Sequence, residues 1–233
     1  MSTVKQAIKN SFNAIGVDVM QFIPSGRFRQ KFEENLASCA WQPHPRYSVF
    51  TQWDQDFYLA RRDEFLHKYR CFYAISKTAA PKRIIELGTH AGSGADAYLS
   101  ATPAAEFMGY DWFGEGIHQV TGEVVRPYEV AAKLLSGRGY NFRLVTTDLR
   151  EIDRLPAQAD FVAVDAAHDF KNEYADLKLA LTADPKYIWV DDYQCEVVQA
   201  VEKFIREDMR GRVAFTLHVN YILGGGLIIK LKG

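Results

Sequence analysis

The sequence predicts an α/β protein with a doubly wound, mostly parallel sheet, a C-terminal antiparallel hairpin and a helical or irregular N-terminal arm. Short apolar runs rich in β-branched residues alternate with helical patterns over most of the chain. Such alternation is typical of a parallel sheet covered by helices on both faces. The last two strand patterns are joined by a glycine-containing link that is too short for a helix, which favours a hairpin.

The N-terminal arm, residues 1–62, is rich in aromatic residues and follows no regular period. The turn-forming pieces Pro24-Ser25-Gly26 and Pro43-His44-Pro45 interrupt it, so we expect one or two short helices followed by a wrapping segment. Three roles stay open for this arm: a lid over a ligand pocket, a contact in a homo-oligomer, or packing that covers one sheet face. The α/β domain is expected to occupy residues 63–233.

Regular patterning begins at Asp63, where Phe65, Tyr69 and Phe72 fall on one face of a helix that leads into the first strand. Five strand patterns follow, at 83–87, 106–111, 142–147, 161–165 and 187–191. Helical patterns lie between and after them, near 94–99, 128–135, 171–181 and 194–209. The hairpin strands are expected at 212–219 and 227–232.

Composition excludes several classes of function. The net charge of −1 over 233 residues offers no basic surface for nucleic acid. The three cysteines are widely spaced and form no CxxC motif, which argues against a disulfide framework or a zinc site. No uninterrupted apolar run is long enough to span a membrane, and the first residues lack the apolar core of a secretion signal. We therefore expect a cytoplasmic protein with no membrane or nucleic-acid partner.

The segment 86–94, Glu-Leu-Gly-Thr-His-Ala-Gly-Ser-Gly, closes the first strand and opens a helix of small residues. Gly88, Gly92 and Gly94 permit a sharp turn and a close approach by a ligand, and the helix N-terminus would offer unpaired amides. Glu86 would repel a phosphate but hold a cationic nucleotide bearing an amino acid. The pattern therefore favours an S-adenosylmethionine pocket over a dinucleotide pocket. Asp111, at the end of the second strand, is placed to accept bonds from the ribose hydroxyls.

A second group of residues combines Asp165-Ala-Ala-His168 with Asp191-Asp192. If the fourth and fifth strands are neighbours, these carboxylates converge and repel one another unless a cation lies among them. Oxygen ligands favour a hard divalent ion, Mg²⁺ before Ca²⁺ or Mn²⁺. His168 would then lie near enough to remove a proton from a bound hydroxyl, although it is also placed to cap the following helix. Asp169 is a good helix N-cap.

These motifs resemble the class I S-adenosylmethionine-dependent methyltransferases. The second group, Asp165-Ala-Ala-His168 with Asp191-Asp192, resembles the motif of a metal-dependent subgroup of these enzymes. That subgroup includes the cephalosporin hydroxylase-like proteins and the macrolide-sugar and aminocoumarin O-methyltransferases. The resemblance covers about residues 63–233 and implies a Rossmann-like, seven-stranded sheet. It implies that Glu86 and Gly88 hold the methionine moiety and Asp111 the ribose. Asp148 or Leu149 would approach the adenine.

The same resemblance implies that Asp165, Asp191 and Asp192 are the metal ligands and that His168 is the base. Two departures from the family pattern occur. Some relatives carry an acid where this chain has Ala167, and the usual glycine pair before the fifth strand is replaced by residues 183–186. The first departure assigns the base role to His168, and the second leaves the substrate side open.

The predicted function is a divalent-metal-assisted O-methyltransferase acting on a hydroxyl of a small polar molecule, sugar-like or phenolic. One alternative is a non-catalytic S-adenosylmethionine-binding or assembly protein. Another is an NAD-dependent oxidoreductase, against which Glu86 counts. The link 112–126 contains Trp112, Phe113 and His118, which either line the acceptor pocket or serve packing.

Overall fold

The computed structural model describes residues 26–52, 55–117, 122–156 and 158–232. The described part of the arm contains three helices, α1 (Gly26–Ala37), α2 (Val49–Gln52) and α3 (Gln55–Ala60). Helix α4 (Arg62–Ala79) follows at once and leads into the sheet, as the helical pattern from Asp63 predicts. Its predicted apolar face is confirmed, since Phe65, Tyr69 and Phe72 are all buried.

A seven-stranded sheet forms the centre of the molecule, with the strand order β5-β2-β1-β6-β7-β9-β8. The five strands β1, β2, β5, β6 and β7 run parallel, while β9 pairs antiparallel with both β7 and β8. The strands are β1 (Arg83–Leu87), β2 (Glu106–Asp111), β5 (Phe142–Thr146), β6 (Phe161–Val164), β7 (Tyr187–Val190), β8 (Val213–Val219) and β9 (Gly226–Leu231). The predicted mostly parallel sheet and its C-terminal hairpin are confirmed.

Helices cover both faces of this sheet. Ile84 packs into one hydrophobic cluster with α4, α5 and the arm, and its neighbour Ile85 packs into a second cluster with α7 and α8. Because successive strand residues point to opposite faces, this alternation confirms the doubly wound arrangement. The helices are α5 (Ser93–Ala101), α6 (Pro127–Gly137), α7 (Phe170–Leu181) and α8 (Cys195–Glu207). Asp169 caps α7 as predicted, with its side chain accepting from the Asn172 amide.

The described part of the arm packs on the sheet. The Phe28 ring stacks on Tyr187 of β7, with centroids 5.7 Å apart, and lies 5.2 Å from the ring of Phe215 on β8. This contact supports the packing role proposed for the arm. The homo-oligomer contact and the domain division at residue 62 stay predictions.

The link after β2 contains a short antiparallel pair, β3 (Gly116–Ile117) and β4 (Val124–Val125), which the sequence patterns do not indicate. Phe113 is buried, whereas Trp112 is 72% exposed. His118 lies outside the described residues. Across the described ranges, no helix is long and apolar enough to cross a membrane.

Candidate functional site

A cavity of about 550 Å³ opens at the carboxyl ends of β1, β2 and β6, where ligands bind in open parallel sheets. Its size lies within the range of small-molecule sites. Predicted site residues from both motifs line this one cavity: Glu86, Gly88, Gly94, Asp111, Asp148, Leu149, Asp165, His168 and Asp192. Two further predicted site residues, Gly92 and Asp191, do not line it. The topology therefore brings the glycine motif and the acidic motif together, as predicted.

The turn after β1 packs directly against the end of β6. Gly88 has a φ of +91°, and a Cβ built on it would lie 2.1 Å from the Asp165 carbonyl oxygen. A Cβ on Gly94, in the first turn of α5, would lie 2.7 Å from Glu86 Oε1. Position 88 therefore requires glycine, and its packing fixes the distance between the glycine turn and Asp165, whereas a side chain at Gly94 would displace the Glu86 carboxyl group.

Glu86 is a buried carboxyl group at the base of this turn, with 1% of its surface exposed. Its Oε2 atom has no hydrogen-bond partner among the described residues. Burial raises the pKa of Glu86 well above its usual value, and the nearby Asp111 adds to the rise. A buried acceptor without a partner is costly unless a ligand supplies a donor. The structure thus fits the prediction that Glu86 receives a cationic ligand group.

The Asp111 carboxylate is fixed by two backbone amides. Oδ2 accepts from the His90 amide at 2.8 Å, and Oδ1 accepts from the Phe113 amide at 2.6 Å. Each oxygen keeps a lone pair for a further donor such as a ribose hydroxyl. Asp148 accepts from the Arg150 amide at 2.8 Å and caps a 3₁₀ turn, Leu149–Glu151. Asp148 and Leu149 therefore border the cavity from the end of β5.

The three predicted metal ligands follow two adjacent strands. Asp165 comes directly after β6, and Asp191 and Asp192 come directly after β7, which pairs with β6. Asp192 has a left-handed backbone conformation, with a φ of +45°. Such strain is uncommon outside glycine and often occurs at functional sites. The predicted convergence at this sheet edge agrees with the pairing of the two strands.

The side chain of Lys68, from α4, extends toward Asp165, Asp191 and Asp192, hereafter the acid group. Its Nζ atom lies 3.0 Å from Asp192 Oδ1 and forms an ion pair with Asp191 Oδ2. Asp191 is also bound by the Tyr221 hydroxyl, which donates to Oδ1. The Lys68 side chain is only 7% exposed. Burial lowers its pKa, but the charges of Asp191, Asp165 and Asp192 outweigh burial, so the pKa lies well above its usual value.

Asp165, His168 and Asp192 form the group that faces the cavity. Each offers one ligand atom, and the three atoms lie within 4.8 Å of one another, a spacing that one cation can bridge. His168 Nε2 lies 3.7 Å from Asp192 Oδ2. Two of the three predicted metal ligands therefore belong to this group together with the predicted base. The Asp191 carboxylate is occupied by Lys68 and Tyr221, and its assignment as a ligand stays a prediction.

Among the described residues, the charge of the three acids Asp165, Asp191 and Asp192 is only partly balanced. Three carboxylates meet one ammonium group. Burial raises the pKa of Asp165 well above its usual value and raises that of Asp192, and in both cases the next largest cause is the charge of Asp191. Additional positive charge in the cavity would relieve this repulsion. The donor set and the charge thus fit a divalent cation.

One wall of the cavity is aromatic and comes from the arm and α4. Tyr58 and Phe57 lie 4.6 Å and 5.4 Å from the ring of Phe65. Tyr69 and Val49 continue this wall, and Leu223 from the β8–β9 link also borders the cavity. Helices α2 and α3 of the arm thus supply part of the cavity wall, and the lid role of the arm stays a prediction. Trp112 lines the cavity, whereas buried Phe113 packs edge-on against Tyr128 at 5.2 Å.

Lys68 and Tyr221 are the site residues that sequence reasoning missed. A signal for Lys68 was present, because it lies three residues after Phe65 and four before Phe72, on the predicted apolar face of α4. A charged residue on a buried helix face needs a partner of opposite charge. No local pattern marks Tyr221, because its partner Asp191 lies 30 residues away in the sequence, directly after β7.

No family model and no curated protein sequence matches this chain. Solved structures do. Methyltransferase PaMTH1 from Podospora anserina, bound to S-adenosylhomocysteine, is 15% identical with a TM-score of 0.52 and covers 92% of this chain and 99% of its own. The O-methyltransferase TomG from Streptomyces achromogenes, involved in tomaymycin synthesis and solved with S-adenosylmethionine, is 16% identical with a TM-score of 0.53 over 88% of this chain and 98% of its own.

The O-methyltransferase from Bacillus cereus, also bound to S-adenosylhomocysteine, is 15% identical with a TM-score of 0.50 and covers 97% of each chain. At these identities the likeness establishes the fold alone. The chain has the Rossmann-like fold of S-adenosylmethionine-dependent O-methyltransferases, and the resemblance predicted from its sequence is confirmed at that level.

Proposed function

We propose that this protein is an S-adenosylmethionine-dependent O-methyltransferase acting on a hydroxyl of a small polar molecule, sugar-like or phenolic. The observation that carries the proposal is one cavity that contains both Glu86, a buried acid with an unpartnered oxygen, and an acid group with excess negative charge. The shared fold with cofactor-bound methyltransferases supports it. The net charge of −1 favours a small-molecule acceptor over nucleic acid.

The cofactor-binding roles follow the geometry of the turn. Glu86 would hold the ammonium group of the methionine moiety, and Gly88 and Gly94 would let it approach the backbone. Asp111 would accept from the ribose hydroxyls with the lone pairs that the two amides leave. Asp148 and Leu149 would border the adenine. S-adenosylmethionine supplies an electrophilic methyl group on a sulfonium.

The chain's own residues then have two tasks: alignment of the acceptor and removal of its proton. The aromatic wall offers a surface on which a planar ring or the apolar face of a sugar stacks. Alignment of the reacting atoms can lower the barrier by several kcal/mol, of the order of 7 to 11 kcal/mol at best. His168, at the rim beside Asp192, is placed to receive the hydroxyl proton, and Asp192 would stabilise the imidazolium that forms.

Asp165 and Asp192 would hold a hard divalent cation, Mg²⁺ in the first instance. Such an ion, when bound, lowers the pKa of a coordinated hydroxyl. Three carboxylates and one ammonium leave a charge of about −2 when all are ionised, which a divalent ion neutralises. An imidazole nitrogen that coordinated the ion could not also take the proton. We therefore assign His168 to proton removal and the carboxylates to the ion.

The test begins with calorimetric titration of S-adenosylmethionine and NAD. We expect S-adenosylmethionine to bind and NAD to show no heat of binding. Transfer of a radiolabelled methyl group is then measured on phenols, catechols and sugars, with Mg²⁺ and with EDTA. Transfer to a hydroxylated acceptor that Mg²⁺ increases supports the proposal. Binding without transfer to any acceptor would favour the non-catalytic alternative, and tight binding of NAD would contradict both.

A further inference from the structure

Lys68 is a buried cation that neither the cofactor roles nor proton removal requires. It projects from α4 on the same face as Phe65 and Phe72, and its Nζ atom lies 5.7 Å from the centre of the Phe72 ring. Its two charged contacts, Asp191 and Asp192, are more than 120 residues away in the sequence. A lysine at such a position costs side-chain entropy and desolvation, so its retention needs a compensating interaction.

We propose that Lys68 is a positioning residue that keeps the acid group assembled before any metal binds and reserves Asp191 from metal coordination. This inference rests on the metal site of the proposed function. Lys68 supplies one fixed positive charge, and a divalent ion supplies the remainder. The metal ligands are then Asp165 and Asp192, with Asp191 as a supporting acid behind them.

The contacts of Asp191 support this division. One of its oxygens meets the Lys68 ammonium and the other accepts from the Tyr221 hydroxyl. Its side chain is fully buried, and it does not line the cavity. Asp192, by contrast, offers Oδ1 to Lys68 and keeps Oδ2 toward His168. Asp192 thus contacts Lys68 and also borders the cavity. Both oxygens of Asp191, in contrast, contact interior side chains.

The repulsion among the acids shows what Lys68 does in the metal-free protein. Asp165 and Asp192 each experience the negative charge of Asp191, and Lys68 opposes it in both cases. Without the ammonium group, three carboxylates, of which those of Asp191 and Asp192 are buried, would face one another at the ends of two paired strands. Removal of one partner from a buried ion pair is strongly destabilising because it leaves an uncompensated charge.

The test compares thermal unfolding of Lys68→Met with wild type, each in EDTA and in Mn²⁺. Methionine keeps the length of the side chain and removes its charge. We expect Lys68→Met to lower Tm in EDTA by roughly 10 °C and Mn²⁺ to restore most of that loss, because the ion takes over the compensating charge. Lys68→Arg, which keeps the charge, should lie between wild type and Lys68→Met in EDTA.

Arg138→Met is the matched control. Arg138 pairs with the buried Asp96 at 3.1 Å, outside the cavity. Its loss therefore also leaves a buried acid without its cation. Mn²⁺ should raise the Tm of this variant only as much as it raises that of wild type. If Mn²⁺ raises the Tm of Lys68→Met by no more than it raises that of wild type, or if Lys68→Met is as stable as wild type in EDTA, the proposal is wrong.

A second measurement does not depend on the folding of Lys68→Met. Electron paramagnetic resonance of free Mn²⁺ gives the affinity of wild type, Asp191→Asn and Asp192→Asn. We expect Asp192→Asn to weaken binding at least about tenfold more than Asp191→Asn does, because only Asp192 would coordinate the ion. Equal losses would make Asp191 a ligand and overturn the inference. Failure of wild type to bind Mn²⁺ would overturn it too. Methyl transfer is assayed separately, so absent transfer with this Mn²⁺ pattern rejects only the proposed activity.

Discussion

Two acidic regions, Asp96 on α5 and the acid group at the ends of β6 and β7, differ in how the structure compensates their negative charge. Asp96 is 1% exposed and accepts from Trp41 Nε1 at 2.9 Å and from Arg138 Nε at 3.1 Å. Tyr140 adds a third donor at 3.3 Å. One acid thus meets one full cation and two neutral donors. At the strand ends, three acids share one cation.

The pKa values express the same contrast. Burial raises the pKa of both Asp96 and Asp165, so the direction alone does not separate the two regions. The second largest cause does. For Asp96 it is the Arg138 charge, which lowers the pKa, and for Asp165 it is the Asp191 charge, which raises it. A carboxyl group whose largest charge interaction is with another acid is typical of functional sites, whereas Asp96 is already paired with a cation and two neutral donors.

The largest expected effect separates these regions by activity. Asp165→Asn should lower methyl transfer by about 1,000-fold, because it removes a carboxylate that we propose as a ligand of the cation. Binding of S-adenosylmethionine, measured by calorimetry, should be almost unchanged. Asp96→Asn, assayed below its Tm, should retain transfer within about threefold of wild type. Equal loss of transfer in both variants would remove the distinction between the two regions.

A second variant tests the residue that borders the acid group. His168→Gln should lower kcat by at least about 100-fold, since general base catalysis contributes at least that much. His44→Gln is the control, because His44 lies in the arm, accepts from the Arg46 and Tyr47 amides and does not line the cavity. An increase in KM alone, with kcat unchanged, would show that His168 binds the acceptor and removes no proton.

Glu173 on α7 provides a pH test of buried charge. Burial, reinforced by the Asp191 charge, raises its pKa from 4.5 to about 8. The folded protein therefore binds this proton more tightly than the unfolded chain, and the stabilisation is complete below pH 4.5 and lost as pH rises through 8. In urea unfolding, wild type should lose up to about 4 kcal/mol more than Glu173→Gln between pH 4.5 and 8.5. Parallel pH curves would contradict this prediction.

The smallest expected effect concerns a single bond of Asp96. Trp41→Phe removes the donor at 2.9 Å and should lower the free energy of unfolding by about 2 kcal/mol. A double-mutant cycle with Asp96→Asn separates the hydrogen bond from the loss of ring packing. A coupling energy near zero would mean that Arg138 and Tyr140 satisfy Asp96 without Trp41.

Much of this arrangement could be predicted from the sequence because it depends on local chain properties. Apolar runs bounded by proline and glycine predict β1 and β2 with the bounds that the structure has. Parallel topology then brings the ends of those strands to one edge, which is why Glu86, Asp111 and Asp165 were expected in one cavity. The acids at the strand ends are thus a consequence of the pattern of strands.

The sequence could not predict which residues pair with these acids, because the pairing depends on how distant elements pack. Lys68 and Asp192 are 124 residues apart in the sequence. They meet only because α4 packs near the ends of β6 and β7. Sequence spacing fixes the helical face of Lys68 but not the strand that this face meets. The commitment of Asp191 to Lys68 and Tyr221 follows from the same packing. The side of the strand end on which each acid lies therefore needed the structure.

The contact of Gly88 with the Asp165 backbone has a consequence for engineering the protein. The turn at Gly88 and the backbone of Asp165 pack together without an intervening side chain, so a displacement of one must displace the other. Directed evolution toward new acceptors should therefore change residues of the aromatic wall, around Tyr58 and Tyr69. The contact between Gly88 and Asp165 should stay unchanged. Grafting either loop alone onto another scaffold would lose the alignment that both provide together.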